Sequence, residues 1–267
     1  MRLNRDRSAL TGPVERQGID PGSPWWTIHV ARYRYARSSL EGLRVLDIAC
    51  GTGYGLDELS DTARMLVGVD VDVAAAKSTR ELISDRTAHA AIVANGASLP
   101  FADGSFDAVL SFETIEHLGH RSGFISELAR VLEPEGFLLL STPNANHTRP
   151  RDGVPRNPYH IHEYTPGELR AELAPSFASV EMYGQVLDPS FRIPPLWDEQ
   201  EELGGTGGRA RVLLWRALAK LPPKLGERAS LPLLGQPLFP GPDDYHFRAS
   251  EVERAPVLLA LCRGRVR

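Results

Sequence analysis

Residues Asp47-Ile48-Ala49-Cys50-Gly51-Thr52-Gly53-Tyr54-Gly55 place an acid directly ahead of three closely spaced glycines. Such glycines let a backbone come close to a ligand at the start of a helix. The dinucleotide fingerprint G-x-G-x-x-G is not met, because its third glycine position holds Leu56. Asp47 would also repel a pyrophosphate, and it suits a ligand with a cationic end. Asp70 ends the next apolar run and lies 17 residues after Gly53, about where a carboxylate meets ribose hydroxyls in a doubly wound fold. Asp72 is a weaker candidate for that task. Asn95, followed by Gly96 and Ala97, offers an amide that can pair with an adenine amine. Farther on, His117 is of the residue type whose ordinary pKa suits proton transfer near neutrality. His160-Ile161-His162-Glu163 sets two imidazoles beside a carboxylate. That spacing fits acceptor binding, base work or loop anchoring, and no further distant cluster completes a metal set, so no metal is expected. His147, Arg149 and Arg151 lie on the same polar stretch and suit a polar acceptor or solvent.

These residues fall at the ends of alternating elements. The spacing of Trp25, Ile28, Ala31, Tyr35 and Ala36 predicts an amphipathic helix from Pro24 to about Leu40. Strands are expected at Leu43–Ile48, Met65–Val71, His89–Ala94, Asp107–Phe112 and Phe137–Ser141. Helices are expected from Gly55, from Val73 and over Arg121–Leu132. Glu133-Pro134-Glu135-Gly136 reads as a turn. Strand and helix in alternation imply a mainly parallel sheet with helices on both faces. Thr165-Pro166-Gly167-Glu168 has the form of a capped helix start, with a helix to about Leu173. Val180–Val186 and Pro256–Cys262 are further strand candidates. The intervening Pro- and Gly-rich stretch has one helical piece around Ala210–Leu221, and Gly204 to Gly208 reads as a flexible hinge.

The chain has 267 residues, 30 basic and 34 acidic, for a net charge of −4. Two cysteines cannot build a disulfide framework. No apolar run approaches the roughly 18 residues of a membrane span. The first residues lack the apolar core of a secretory signal. A cytoplasmic protein is expected, with no membrane span and no nucleic-acid partner.

Four segments in register resemble class I S-adenosylmethionine-dependent methyltransferases. They are Asp47–Gly53, Gly68-Val69-Asp70, Leu99–Asp107 and Arg130–Gly136. The resemblance implies an α/β, Rossmann-like, seven-stranded, mainly parallel sheet with an antiparallel last strand and an insertion between strands six and seven. It also implies S-adenosylmethionine as cofactor. Asp47, Ala49, Gly51 and Gly53 would hold its methionine end, Asp70 and Val71 its ribose, and Asn95, Gly96 and Ala97 its adenine, with Phe112 beside it. A narrower resemblance rests on Ser111–Leu118, Ser141–Asn144, Asn157–Tyr164, and His29 with Arg32-Tyr33. It points to a bacterial subgroup acting in saccharide and glycosylated natural-product pathways. By that resemblance Arg32 pairs with the methionine carboxylate.

Methyl transfer is an in-line displacement, and a hydroxyl acceptor gains from a general base. His117 is the favoured base, with His160 and His162 as alternatives. Glu113, Glu116, His147, Tyr159 and Glu163 are expected to contact the acceptor. O-methylation of a saccharide or glycosylated natural product is the leading expectation, ahead of an aromatic or quinone-like acceptor and of a non-catalytic cofactor-binding protein. Residues 1–24 are expected to be a flexible segment. The catalytic domain is expected over 25–187 and 256–267, with 188–255 as an acceptor cap or a homodimer contact. There an apolar pocket lined by Phe191, Trp197 and Leu213 would favour an aromatic acceptor and a polar groove with His160 and His162 a sugar, and Leu231, Leu233 and Leu234 would be exposed.

Overall fold

A computed structural model describes residues 24–84, 88–193 and 205–266. The first helix, α1, spans Pro24–Arg37. Then β1 (Arg44–Ile48), α2 (Tyr54–Leu59), β2 (Met65–Asp70), α3 (Val73–Leu82), β3 (His89–Val93), β4 (Phe106–Phe112), α4 (Arg121–Val131) and β5 (Leu132–Pro143) alternate as expected. The short helix α5 (Ala145–Thr148), α6 (Pro166–Leu173) and β6 (Phe177–Leu187) follow. Helices α7 (Gly205–Leu218) and α8 (Pro223–Leu234) come next, then β7 (Tyr245–Arg248) and β8 (Val257–Arg265).

The sheet order is β3-β2-β1-β4-β5-β8-β6-β7. Its first five strands are parallel, and β8 runs antiparallel between β5 and β6. Eight strands therefore replace the expected seven. The extra one, β7, is four residues long, and an edge strand that short leaves little periodic signal. The central strands are continuous apolar runs because helices cover both faces. Val45, Leu46, Leu66, Val109, Leu110, Leu138 and Leu140 are all buried.

Two local expectations change. Glu133–Gly136 is not a free turn but lies inside β5. The partner of Phe106 is Leu132 and that of Ala108 is Phe137, so these four residues form a large bulge opposite Asp107. Gly205 to Gly208, expected as a hinge, open α7, where packing of the helix outweighs glycine's poor propensity. Gly204 lies outside the described residues. The capping box at Thr165 and Glu168 forms as read.

The described residues divide into two compact units. One holds 32–186 and 247–266, the other 24–31 and 187–246. In the second unit, Val212, Trp215, Leu218, Leu234 and Leu238 make a separate core with Ile193. The Trp215 indole donates to the Leu238 carbonyl at 2.8 Å. The neighbouring apolar residues depart from expectation. Leu213 is 67% exposed, and Leu234 is buried whereas Leu231 and Leu233 face outward. Trp197 lies outside the described residues. Both cysteines are buried and free, and no described helix is long and apolar enough to cross a membrane.

Candidate active site

In this sheet β1 and β4 are neighbours, and the chain leaves β1 for β2 on one side and β4 for β5 on the other. That reversal opens a crevice at the carboxyl ends of the strands, where open α/β sheets bind ligands. The Asp47–Gly55 segment leaves β1 there, and Glu113 to His117 leave β4. Ile48 pairs with Ser111 across the two strands, which sets both loops at the same level.

Asp47 is 1% exposed. Its carboxylate accepts from the Tyr33 hydroxyl at 3.3 and 3.1 Å. Burial pushes its carboxyl up to about 8, the Tyr33 bond pulls the other way, and Asp70 adds repulsion. A buried acid held by one neutral donor is a receptor for a cation. The loop beyond it bends through positive φ at Ala49, Gly51 and Gly53. Gly53 has φ 87°, and a Cβ there would lie 2.8 Å from the Thr79 side chain, so only glycine fits. Asp70 Oδ2 accepts from the Gly51 amide at 2.9 Å, and Oδ1 from the Asp72 amide at 2.8 Å. Asp72 itself caps α3 through the Ala75 amide, which removes it as the ribose candidate. Val71 is exposed beside Asp70. Asn95 is exposed and folds its carbonyl onto the Ala97 amide at 2.9 Å. A Cβ on Gly96 would strike Phe124 at 2.8 Å. Phe112 packs edge-on against Tyr33, with ring centres 5.0 Å apart. These features fit the expected cofactor. The buried Asp47 carboxylate suits its ammonium, and the glycine loop leaves room for close backbone approach.

Arg32 is fully buried in α1. Its Nε donates to Gln185 at 2.8 Å, and one terminal nitrogen lies 3.5 Å from Glu113. Glu113 has φ 51°, a strained conformation for a residue of its type, and accepts from Ser141 Oγ at 2.8 Å.

Glu116 is buried completely. Thr142 Oγ1 donates to its Oε2 at 2.9 Å. Its Oε1 is buried with no hydrogen-bond partner among the described residues. Burial raises its carboxyl well above the ordinary value, and the nearby Glu113 charge adds to the rise. His117 Nδ1 lies 2.9 Å from the Tyr159 carbonyl. A carbonyl only accepts, so Nδ1 carries the proton and Nε2 is the basic nitrogen. That Nε2 lies 3.9 Å from Glu116 Oε1. The ring of His160 meets that of His117 edge-on at 5.0 Å.

His160 Nδ1 pairs with Glu163 Oε1 at 2.7 Å, and its Nε2 lies 3.0 Å from Asn157 Nδ2. Asn157 Oδ1 accepts from the Tyr159 amide at 3.0 Å, which fixes Nδ2 as the side facing His160. Thr148 donates to the other Glu163 oxygen. Glu163 is thus drawn below its ordinary value by His160 and Thr148 against its own burial. It holds His160 in place and is itself buried. His162, two residues on, packs edge-on against Tyr164 at 4.5 Å and is not part of the Glu116–His117–His160 group. Tyr159 reaches His117 with its carbonyl, and its side chain is exposed. His147 sits on the short helix α5. Tyr33, Thr142 and Asn157 lie within the segments that carry the narrower resemblance, but sequence alone gives them no role in the site, and the Tyr33 ring fits because Gly55 has no Cβ.

Residues 46–140 match the family model described as a methyltransferase domain. A probable S-adenosylmethionine-dependent methyltransferase of Mycobacterium tuberculosis is 34% identical over 217 residues, covering 81% of this chain and 76% of that protein. A ubiquinone biosynthesis O-methyltransferase of Rhodopseudomonas palustris is 35% identical over 114 residues, 41% of this chain and 43% of that one. Among solved structures, a methyltransferase of Thermotoga maritima superposes with a TM-score of 0.55 at 15% identity, covering 90% of this chain and 92% of the other. The cyclase SpnF does so at 0.56 and 19% identity, covering 96% and 88%. Those two likenesses show the fold alone. Fold and relatives together establish that the chain belongs to the class I S-adenosylmethionine-dependent methyltransferases.

Proposed function

We propose that this methyltransferase acts on oxygen, and that its acceptor is a hydroxyl of a saccharide or glycosylated natural product. The observation that carries this reading is the orientation of His117. Its Nδ1 is committed to the Tyr159 carbonyl at 2.9 Å, which leaves the basic Nε2 3.9 Å from the buried Glu116 carboxylate. The cofactor supplies a methyl group on a sulfonium. When bound, it would supply that methyl for in-line transfer to an acceptor oxygen, and His117 Nε2 would take the hydroxyl proton. Asp47 and the loop from Ala49 to Gly53 hold the methionine end, Asp70 and Val71 the ribose, and Asn95, Gly96 and Ala97 the adenine. Arg32, assigned by resemblance to the methionine carboxylate, also lies 3.5 Å from Glu113, and Glu163 and Tyr159 keep the two imidazoles in register. The side chains assigned to the acceptor, Glu113, His117 and His160, are polar, which favours a polyhydroxyl acceptor over a flat aromatic one. Residues 188–255 lie outside the part that matches the family model and are assigned to acceptor selection.

The test is turnover with labelled cofactor against nucleotide sugars, glycolipids, glycosides, phenols and quinols. Label transfer to the sugar-bearing acceptors is expected. Turnover of phenols or quinols alone would overturn the saccharide assignment. The relatives named as ubiquinone O-methyltransferases make quinols the pertinent comparison.

A further inference from the structure

Glu116 presents a physical problem that proton transfer does not solve. A carboxylate that is wholly inside the protein, with one oxygen lacking any hydrogen-bond partner among the described residues, is costly unless something positive meets it. A second carboxylate, Glu113, adds repulsion. Two imidazoles stand against that orphaned oxygen. Ligand atoms of Glu116, His117 and His160 all lie within 4.8 Å of one another. Donor atoms sharing one ion at about 2.1 Å sit roughly 3 to 4 Å apart, so a small contraction closes the set.

The outer contacts match those of metal-bound histidines. Metal-ligating imidazoles donate their other nitrogen to a carbonyl or carboxylate, which fixes the tautomer. His117 gives Nδ1 to the Tyr159 carbonyl, and His160 gives Nδ1 to Glu163. In both rings Nε2 is left as the lone-pair nitrogen. His160 Nε2 now faces Asn157 Nδ2 at 3.0 Å, and a cation would exchange that contact for a coordinate bond.

We propose that Glu116, His117 and His160 form a binding site for one divalent cation, whose open positions receive the acceptor hydroxyl. The donor set of two imidazoles and one carboxylate suits Mn²⁺, Co²⁺ or Zn²⁺ rather than Ca²⁺. The proposal rests on the O-methyl reading above and changes one part of it. His117 becomes a ligand, and the hydroxyl proton leaves to water from the cation-bound oxygen, which coordination makes more acidic.

The experiment is titration of Co²⁺ into chelator-stripped full-length protein, with neither cofactor nor acceptor present, read by calorimetry and by the visible ligand-field band. One site per chain is expected. Glu116→Gln and His160→Asn should each weaken it at least tenfold, with cofactor binding retained as the check on folding, and His162→Asn should leave Co²⁺ affinity unchanged. Absence of a Co²⁺ site, or equal affinity in all three variants, would overturn the proposal while leaving O-methylation untouched. Full methylation by the stripped enzyme would overturn the role of the cation in catalysis. A site that binds Co²⁺ as expected in an enzyme that methylates no oxygen would instead sink the O-methyl reading.

Discussion

The Tyr33 hydroxyl lies 3.1 Å from Oδ2 of Asp47 and donates to that buried carboxylate. The contact joins α1 to the end of β1. Gly55 makes it possible, because a Cβ at that position would lie 2.1 Å from the Tyr33 ring. Gly55→Ala is expected to destabilise the fold by about 1–3 kcal/mol through overpacking and to weaken cofactor binding as Tyr33 is displaced. Tyr33→Phe should cost about 1 kcal/mol while leaving the ring packing on Phe112 intact. Denaturant unfolding and equilibrium cofactor binding on the two variants check this. Equal behaviour of Gly55→Ala and wild type would contradict it.

Asp47 gives a pH dependence with a definite sign. Its carboxyl is raised by burial from 3.8 to about 8 in the folded protein. Between those values the folded state holds a proton that the unfolded chain has released. Stability from this group is therefore full below about pH 4 and falls as pH rises toward 8. Asp47→Asn should flatten that slope. Binding of the cationic cofactor favours the ionised acid, so at pH 6.5–7.5 it should release a proton. Calorimetry in buffers of different ionisation enthalpy reads this directly, and no proton release would contradict the assignment of Asp47.

Gly53 carries φ 87°, and a Cβ added there would lie 2.8 Å from the Thr79 side chain. Gly53→Ala is expected to distort the loop and lower cofactor affinity at least tenfold, about 1.4 kcal/mol, with a smaller effect on acceptor KM. Binding isotherms for cofactor and S-adenosylhomocysteine test it. Affinity within twofold of wild type would show that the loop does not contact the cofactor.

The second unit has its own core, of which the buried Trp215 is part. Trp215→Ala should remove about 3–5 kcal/mol from that unit and leave the Leu238 carbonyl without its donor. Hydrogen exchange should show the loss in α7 and α8, with β1, β4 and β5 still protected. Uniform loss of protection across the chain would contradict the division into two units.

Much of this was legible in sequence for physical reasons that differ between residues. Strands β1 and β4 could be read because Val45, Leu46, Val109 and Leu110 are buried on both faces of the sheet. The Thr165 cap could be read because its partners lie within one helical turn. The bulge at Glu133–Gly136 could not, since only pairing with β4 turns an apparent turn into part of a strand. Helix α8 was missed because Pro232 sits inside it and its support comes from Trp215 and Leu238. His160 and His162 have identical side chains two residues apart. Only the fold sends one to Glu163 and the other onto Tyr164.

The most direct test of the central claim uses cofactor carrying a ¹³C methyl group, a saccharide acceptor that is turned over, and NMR of the product. The account predicts one labelled methyl bonded to a former hydroxyl oxygen, formed at a rate reduced about 10²–10⁴-fold in His117→Ala. A labelled methyl on nitrogen or carbon, or an unchanged rate in that variant, would contradict it.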